Sequence, residues 1–390
     1  MSSSGGSSTR RALIAVAQLT SKNDLKQNFD IANSMIRRAA DRGAKMIFLP
    51  ECFDYIGRNK IENISMAMSE NGDFIGSFRN AAIENNIWIS LGGFHQKEEN
   101  QTCFPFNTHL ILDNEGLTRG IYHKLHLFDL DIPDKVRLME SEFSTSGKQL
   151  CRPVNTPIGK VALSICYDIR FAELALWNRY QGAQVLTYPA SFTVNTGLAH
   201  WESLLRARAI ETQCYVVAAA QTGRHNEKRS SYGHSMVVDP WGAIISQCSE
   251  TVDVCFAEIS LDYLDEVRHL QPVFEHRRPD LYSLIANEKF FDGSDQLFGE
   301  NVISKDVIFY YSAFSFAFVN RSPVLPGHVL VCPKREVHRL TDLTDRETAD
   351  LFIVSKKVQE MLEKKYGTNS SSVCVQDGPE AGQTVKVIFF

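Results

Sequence analysis

The sequence predicts an α/β protein: a four-layer α-β-β-α sandwich followed by a smaller α+β unit. Short apolar runs that suit buried strands alternate with segments of helical periodicity and are followed by hairpins. This order occurs twice before residue 290, which indicates two sheets that are each flanked by helices. The pattern lapses after Tyr282, and a polar, glycine-containing stretch follows. We therefore predict a disordered tail at 1–11, a first domain at 12–290, a linker at 291–297 and a second domain at 298–390.

The predicted elements follow from local patterns. A helix at 24–42 has its apolar residues on one face and Gly43 just past its last turn, and Asn114-Glu115-Gly116 supplies turn residues for a hairpin. The first domain is predicted to hold strands at 12–18, 46–49, 87–92, 161–166, 185–188 and 215–220, helices at 24–42, 74–85, 173–181 and 200–211, and hairpins at 108–122 and 235–245. The second is predicted to hold strands at 307–311, 314–319, 329–332 and 373–377 and a helix at 344–366.

Composition excludes several classes of protein. The chain has 390 residues, 44% of them hydrophobic, and a net charge of -5, so we expect neither a nucleic-acid partner nor membrane contact. The N-terminal stretch has no apolar segment typical of a secretory signal. Nine cysteines without a CxxC pair predict neither a zinc site nor a disulfide framework. Reduced thiols fit a cytoplasmic protein.

Three reactive side chains stand just beyond predicted strands: Glu51, Lys124 and Cys166. A base, a cation and a thiol together suit acyl transfer through a covalent intermediate. Taken alone, Cys166 could equally be a packed core thiol, because cysteine is among the most buried residue types.

A metal site is a second interpretation of the segment around the lysine. His123, His126 and Asp129 are potential ligands, but their spacing matches no standard zinc pattern. We therefore predict no metal there.

Three blocks of sequence, LPECF, YHKLHLFD and SICYDIRF, resemble the signature blocks of the nitrilase superfamily in the same order. The resemblance runs from about residue 13 to 282. It implies the nitrilase sandwich and a Glu–Lys–Cys triad at Glu51, Lys124 and Cys166. It also implies a second glutamate that helps to position the substrate, matched here to Glu142.

The same resemblance implies an amidase that cleaves C–N bonds without a metal or an organic cofactor. The wording YHKLHLFDLDIP and CYDIRF is most similar to the Nit branch. Its deaminated-glutathione amidases imply a small ω-amide as the small-molecule substrate, and relatives of this kind imply a homotetramer.

Residues 320–333 and 376–386 resemble the Fhit branch of the histidine-triad (HIT) hydrolases, over a match that covers 298–386. A Nit domain followed by a Fhit domain resembles a family of fusion proteins that join the two. The resemblance implies an adenine dinucleotide ligand, with cleavage of diadenosine triphosphate in full-length relatives, where a divalent metal is compatible with that activity. The implied nucleotide-binding positions are Asn320, Gln376, Gly382, Gln383, Thr384 and Val385.

The histidine triad of that family is expected directly after Lys386, where the sequence instead reads Val-Ile-Phe-Phe. His328 and His338 lie elsewhere in the motif. Without an imidazole nucleophile no nucleotidyl-histidine intermediate forms, so we expect no dinucleotide hydrolysis by this form. Two alternatives stay open for the second domain: a signalling or scaffolding unit that binds dinucleotide without turnover, and an unstable isoform.

Overall fold

The structure, a computed structural model, describes residues 10–98, 102–132, 136–279, 281–282, 284, 295–385 and 387. The chain divides into two compact units, residues 1–284 and 285–390. Of the predicted tail only Arg10 and Arg11 lie among the described residues, and Arg11 already begins a strand. Residues 291–294 of the predicted linker lie outside them, and Gln296 and Leu297 belong to a strand.

Unit 1 contains six helices and sixteen strands among its described residues. The helices are α1 (Leu25–Asp41), α2 (Lys60–Ser65), α3 (Asp73–Asn85), α4 (Ala172–Tyr180), α5 (Val194–Thr212) and α6 (Leu261–Leu270). The strands are β1 (Arg11–Leu19), β2 (Met46–Phe48), β3 (Trp88–Gln96), β4 (Phe106–Leu112), β5 (Thr118–His123), β6 (Asp129–Ile132), β7 (Val136–Met139), β8 (Val154–Thr156), β9 (Gly159–Ala162), β10 (Val185–Thr187), β11 (Tyr215–Ala218), β12 (Ala220–Arg224), β13 (Ser230–Tyr232), β14 (Met236–Val238), β15 (Ile244–Gln247) and β16 (Asp253–Ser260).

Two sheets form the centre of unit 1. The first has the order β13-β12-β1-β2-β3-β4-β5, with β16 paired to β1, and the second has the order β15-β14-β11-β10-β9-β8. In each sheet a parallel centre, β1-β2-β3 or β9-β10-β11, continues into antiparallel strands. The repeated order of elements seen in the sequence thus corresponds to two sheets of similar design.

Successive side chains of β1 point to opposite faces of the first sheet and so show which layer lies on each face. Ile14 and Val16 join the core cluster that contains the second sheet, whereas Ala15 and Ala17 join the cluster that contains α1 and α3. Side chains of α4 and α5 pack into the former cluster. The predicted α-β-β-α sandwich is therefore confirmed.

Unit 2 has a three-stranded antiparallel sheet and one long helix among its described residues. A hairpin, β17 (Gln296–Phe298) and β18 (Asn301–Ile303), precedes the sheet strands β19 (Ile308–Tyr311), β20 (Ser315–Val319) and β21 (Val329–Pro333). Helix α7 (Asp345–Tyr366) packs Leu351, Val354 and Val358 against Ala317 and Val331 of the sheet. Thr344 and Glu347 form a capping box at its start, as the helix prediction at 344–366 requires.

Two strand predictions are wrong. The strand predicted at 161–166 ends at Ala162, and Cys166 itself cannot belong to a strand because its backbone is left-handed. The strand predicted at 373–377 is absent from the described part of unit 2, where β21 ends the order of the sheet. Strand β16 and helix α6 were not predicted. Within the described ranges, every helix is too short or too polar to cross a bilayer.

Candidate active site

Glu51 lies just beyond the end of β2 and is 3% exposed. Its Oε1 accepts hydrogen bonds from Lys124 Nζ and Asn107 Nδ2, both at 2.9 Å, and its Oε2 accepts one from the backbone N–H of Ser191 at 2.9 Å. Gly93 leaves the room for this cluster, because a Cβ there would lie 2.6 Å from Asn107 Oδ1 and 3.3 Å from Glu51 Cγ. The carboxylate is thus held on both oxygens.

Lys124 follows β5 directly and is 2% exposed. Besides Glu51, its Nζ contacts Glu140 Oε1 at 3.0 Å and Oε2 at 2.8 Å, and the N–H of Phe128 donates to Glu140 Oε2 at 2.7 Å. Burial lowers the pKa of Lys124, but the charges of Glu140 and Glu51 outweigh it and raise that pKa well above the usual value. The ammonium is therefore a fixed positive charge in a dry site.

Cys166 begins a 3-10 turn, Cys166–Arg170, and is 8% exposed. Its φ of 46° is left-handed, a conformation that costs a non-glycine residue about 1 kcal/mol. The Cys166 N–H donates to the carbonyl of Pro189 at 2.8 Å, and its thiol lies near enough to the carboxylate of Glu51 for each group to shift the pKa of the other. The turn therefore aims the thiol at the buried glutamate.

The site sets the protonation state of both reacting groups. Burial and the charge of Glu51 raise the pKa of the Cys166 thiol well above its usual value, against opposing effects of Lys124 and the Ser191 N–H. Burial raises the pKa of Glu51, but the charge and the hydrogen bond of Lys124 outweigh it and lower that pKa overall. At neutral pH the site therefore holds a carboxylate, an ammonium and an uncharged thiol, which suits general-base activation of the nucleophile.

Asp168 ties the nucleophile turn to the segment that follows β5. Its fully buried carboxylate accepts hydrogen bonds at Oδ2 from Tyr122 Oη (2.7 Å) and Ile165 N (2.8 Å), and at Oδ1 from His126 Nδ1 (2.7 Å). Asp168 is two residues from Cys166 in sequence, and its partners Tyr122 and His126 are each two residues from Lys124. The spacing between thiol and ammonium thus rests on a buried charge with several hydrogen bonds.

The structure does not bring Glu142, the glutamate predicted to help position the substrate, to the buried cluster. Its side chain is 30% exposed and pairs with Arg137 and Lys60, away from the buried cluster. Glu140 takes the place beside Lys124. The two glutamates lie in a 3-10 turn, where residues two apart project about 120° from each other, so only one of them can face the lysine.

Two further contributors were not predicted. Asn107 is a buried residue of β4, and its Nδ2 donates to Glu51 and also lies 3.4 Å from Glu140 Oε1. An asparagine inside a segment with the pattern of a strand is a signal that could have been read from the sequence. Ser191 contributes its backbone N–H, which no side-chain pattern reveals.

The three side chains considered as metal ligands have other partners. His123 contacts Thr108 Oγ1 at 2.9 Å, His126 contacts Asp168, and Asp129 Oδ1 accepts a backbone hydrogen bond at 3.0 Å. Across the described ranges, no group of three His, Cys, Asp or Glu side chains is arranged to hold a metal.

In unit 2, three polar residues meet near a cavity of about 610 Å³ between β21, α7 and the segment after the helix. His328 and Gln376 line this cavity, and Asn320 Nδ2 contacts His328 Nε2 at 3.0 Å. Of the predicted nucleotide-binding residues, Asn320 thus contacts His328, and Gln376 lines the same cavity as that histidine.

The remaining predicted nucleotide-binding residues have other surroundings. Gly382 is left-handed with φ 80°, Gln383 Nε2 donates to the carbonyl of His338 at 2.9 Å, and Thr384 is exposed. Val385 packs against the apolar cluster that contains Phe298. Among the residues that line the described cavity, neither Gln383 nor Val385 is present.

Comparison with known proteins agrees with this geometry. Residues 13–269 match the family described as carbon-nitrogen hydrolase, and residues 301–388 match the HIT domain. The nitrilase and fragile histidine triad fusion protein NitFhit of Caenorhabditis elegans is 62% identical over 97% of this chain and 86% of its own length. The human deaminated glutathione amidase is 49% identical over 72% of this chain and 86% of its own length.

Solved structures show the same relationship. The crystal structure of the C. elegans NitFhit protein has a TM-score of 0.89 at 60% identity, covering 98% of this chain and 93% of that one. Saccharomyces cerevisiae Nit3, described as a member of branch 10 of the nitrilase superfamily, has a TM-score of 0.62 at 28% identity, covering 69% of this chain and 97% of that one. The chain thus belongs to the carbon-nitrogen hydrolase (nitrilase) family and carries a C-terminal HIT domain in the order found in NitFhit fusion proteins.

Proposed function

We propose that unit 1 is a thiol amidase that hydrolyses a small ω-amide, such as deaminated glutathione, through a thioester on Cys166. The observation that carries this proposal is the buried cluster in which Lys124 Nζ donates to Glu51 Oε1 at 2.9 Å and the Cys166 thiol lies near enough to Glu51 for that charge to raise its pKa. A protonated thiol next to an ionised carboxylate needs no external base, and no step below requires a metal.

In the first half-reaction Glu51 takes the proton of the Cys166 thiol as sulfur attacks the amide carbonyl carbon. The C=O π electrons move to oxygen, and the ammonium of Lys124 stabilises the resulting oxyanion. The Cys166 N–H is already bonded to Pro189, so we assign the neighbouring N–H of Tyr167 as a further donor to the oxyanion.

Collapse of the tetrahedral intermediate breaks the C–N bond. Protonated Glu51 gives its proton to the departing nitrogen, so ammonia or an amine leaves and a thioester remains. Glu51 then takes a proton from water, whose oxygen attacks the thioester carbon, and the thiol leaves with the proton returned from Glu51. Glu140, which together with Glu51 holds the ammonium of Lys124, is the second glutamate of this mechanism.

The function is tested with purified protein and a panel of amides. Primary ω-amides are scored by ammonia release and deaminated glutathione by release of its peptide amine, with a nitrile and Cys166→Ala protein as controls. We expect hydrolysis of at least one ω-amide that is lost in the variant. Folded protein that hydrolyses no amide would contradict the proposal.

The pH dependence of kcat/KM follows from the two pKa shifts. The pKa of Glu51 is lowered, so it is ionised throughout pH 5–9, and the pKa of Cys166 is raised, so it stays a thiol there. For an amide without titratable groups we expect kcat/KM to change by less than about threefold over this range. A sigmoidal rise near pH 8.5, about the ordinary pKa of cysteine, would instead indicate a preformed thiolate.

For unit 2 we propose a HIT unit without dinucleotide hydrolysis in the polypeptide of residues 1–390. The sequence has no histidine beyond His338, and the imidazole of His328 is engaged by Asn320 and by the N–H of Val324. We expect no AMP from diadenosine triphosphate above a protein-free blank. Measurable AMP release that co-purifies with the protein would refute this.

Binding without turnover is the alternative function for unit 2, and the cavity beside Gln376 and His328 favours testing it. Calorimetric titration with diadenosine triphosphate, repeated on Gln376→Ala protein, tests this alternative. Binding that is weakened by the substitution would support it, and no binding to wild-type protein would contradict it. The homotetramer and the cytoplasmic location stay predictions.

A further inference from the structure

Two cysteines outside the candidate active site approach each other between the sheets of unit 1. Cys248 directly follows β15, the edge strand of the second sheet, and is 5% exposed. Cys255 lies in β16 of the first sheet and is half-buried. Both are free thiols, and the mechanism proposed above uses neither of them.

The register of the first sheet aims Cys255 at the second sheet. Cys255 is paired with Val16 of β1, and directly paired residues project to the same face of a sheet. Val16 belongs to the core cluster that contains the second sheet, and Cys255 packs against the same cluster. The sulfur of Cys255 therefore faces the sheet whose edge strand leads into Cys248.

One backbone carbonyl joins the two cysteines. The carbonyl of the buried Ser235 accepts the N–H of Cys248 at 2.8 Å and is contacted by the thiol of Cys255 at 3.9 Å. The Cys248 thiol lowers the pKa of Cys255 by more than burial raises it, whereas Cys255 and burial both raise the pKa of Cys248. Cys255 therefore has the greater thiolate character, and the thiolate is the form that attacks an oxidant.

The loop between the two cysteines holds them in place and lies at the surface. Gln18 Nε2 donates to the carbonyl of Ser249 at 2.5 Å and to that of Thr251 at 2.8 Å. Residues 249–252 are exposed, so solvent lies next to the half-buried Cys255. Two thiols that the fold holds close together react with each other far more readily than two thiols that must first meet.

We propose that Cys248 and Cys255 form an oxidation-sensitive dithiol, which closes to a disulfide when the protein meets a hydroperoxide and so joins the two sheets covalently. The Cys255 thiolate attacks one peroxide oxygen, the O–O bond breaks and water leaves after protonation, which oxidises Cys255 to a sulfenic acid. The Cys248 sulfur then attacks the Cys255 sulfur, and the S–O bond breaks as a second water leaves with the Cys248 proton. Two thiols and one hydrogen peroxide thus give one disulfide and two molecules of water.

Peptide mapping of the folded full-length chain tests this. The protein is treated with hydrogen peroxide, its remaining thiols are alkylated in denaturant, and a glutamate-specific protease is added without reductant. Cleavage after Glu250 puts Cys248 and Cys255 on separate fragments, which stay joined only by a disulfide. We expect joined fragments that dithiothreitol separates, formed at least about tenfold faster than the thiol of Cys151 is lost. Cys151 is the matched control, because it is also half-buried and burial raises its pKa to about 11.

Two variants assign the roles within the pair. In Cys248→Ser protein, Cys255 should still be oxidised but stop at the sulfenic acid, which dimedone traps, whereas Cys255→Ser should leave Cys248 reduced. Circular dichroism checks that both variants are folded, and the mapping of wild-type protein decides the inference without them. Joined fragments that appear only when the protein is denatured before oxidation would overturn it, as would thiols of the pair that are lost no faster than that of Cys151.

Discussion

Replacement of Cys166 by alanine is expected to reduce amide hydrolysis by at least about 10⁴-fold, with the protein still folded. The thiol is the nucleophile of the proposed mechanism, and it lies near enough to Glu51 for the two groups to shift each other's pKa, so no bond to the acyl carbon forms without it. Alanine removes one sulfur atom from a site that keeps its carboxylate and ammonium. Initial rates of ammonia release, measured at saturating amide, give the loss in kcat.

Cys52→Ala is the matched control for this variant. Cys52 is also buried and left-handed, with φ 57°, and it lies directly after Glu51. Its thiol is not among the main groups that lower the pKa of Glu51. We expect kcat within about fivefold of wild type, and circular dichroism should show both variants folded. Comparable losses in the two variants would mean that the effect of Cys166→Ala is structural.

Glu140→Gln is expected to lower kcat by about 10²- to 10³-fold, the second-largest effect. The glutamine keeps the size of the side chain but removes one of the two negative charges that hold Lys124 protonated and in place. Because Glu140 raises the pKa of Lys124, its loss lowers that pKa, and the pH profile of the variant should gain an alkaline limb.

Glu142→Gln separates the two glutamates of the same short turn. Its carboxylate pairs with Arg137 and Lys60 at a partly exposed position, so we expect kcat within about twofold of wild type and little change in thermal stability. A larger loss in Glu142→Gln than in Glu140→Gln would restore the assignment made from sequence and contradict the structure.

The sequence predicted the layers of unit 1 and the three side chains that the structure brings together in the candidate active site. Strand and helix periodicity is local, so the alternation of β1, α1 and β2 could be predicted residue by residue. Glu51 and Lys124 were recognisable because each directly follows a strand pattern. The structure places Cys166 near these two although the strand leading to it ends earlier than predicted, since the pattern of apolar residues does not reveal a left-handed φ.

The tertiary structure alone decided which groups surround those three. Ser191 and Glu51 are 140 residues apart in sequence, and they meet because the ends of β2 and β10, which lie in different sheets, face one site. The choice between Glu140 and Glu142 depended on the direction in which a three-residue turn projects its side chains. The segment at 373–377 has the apolar pattern of a strand without becoming one, because a strand forms only where a neighbouring edge pairs with it. Local pattern thus specified elements and reactive residues, whereas contacts across sheets specified the site.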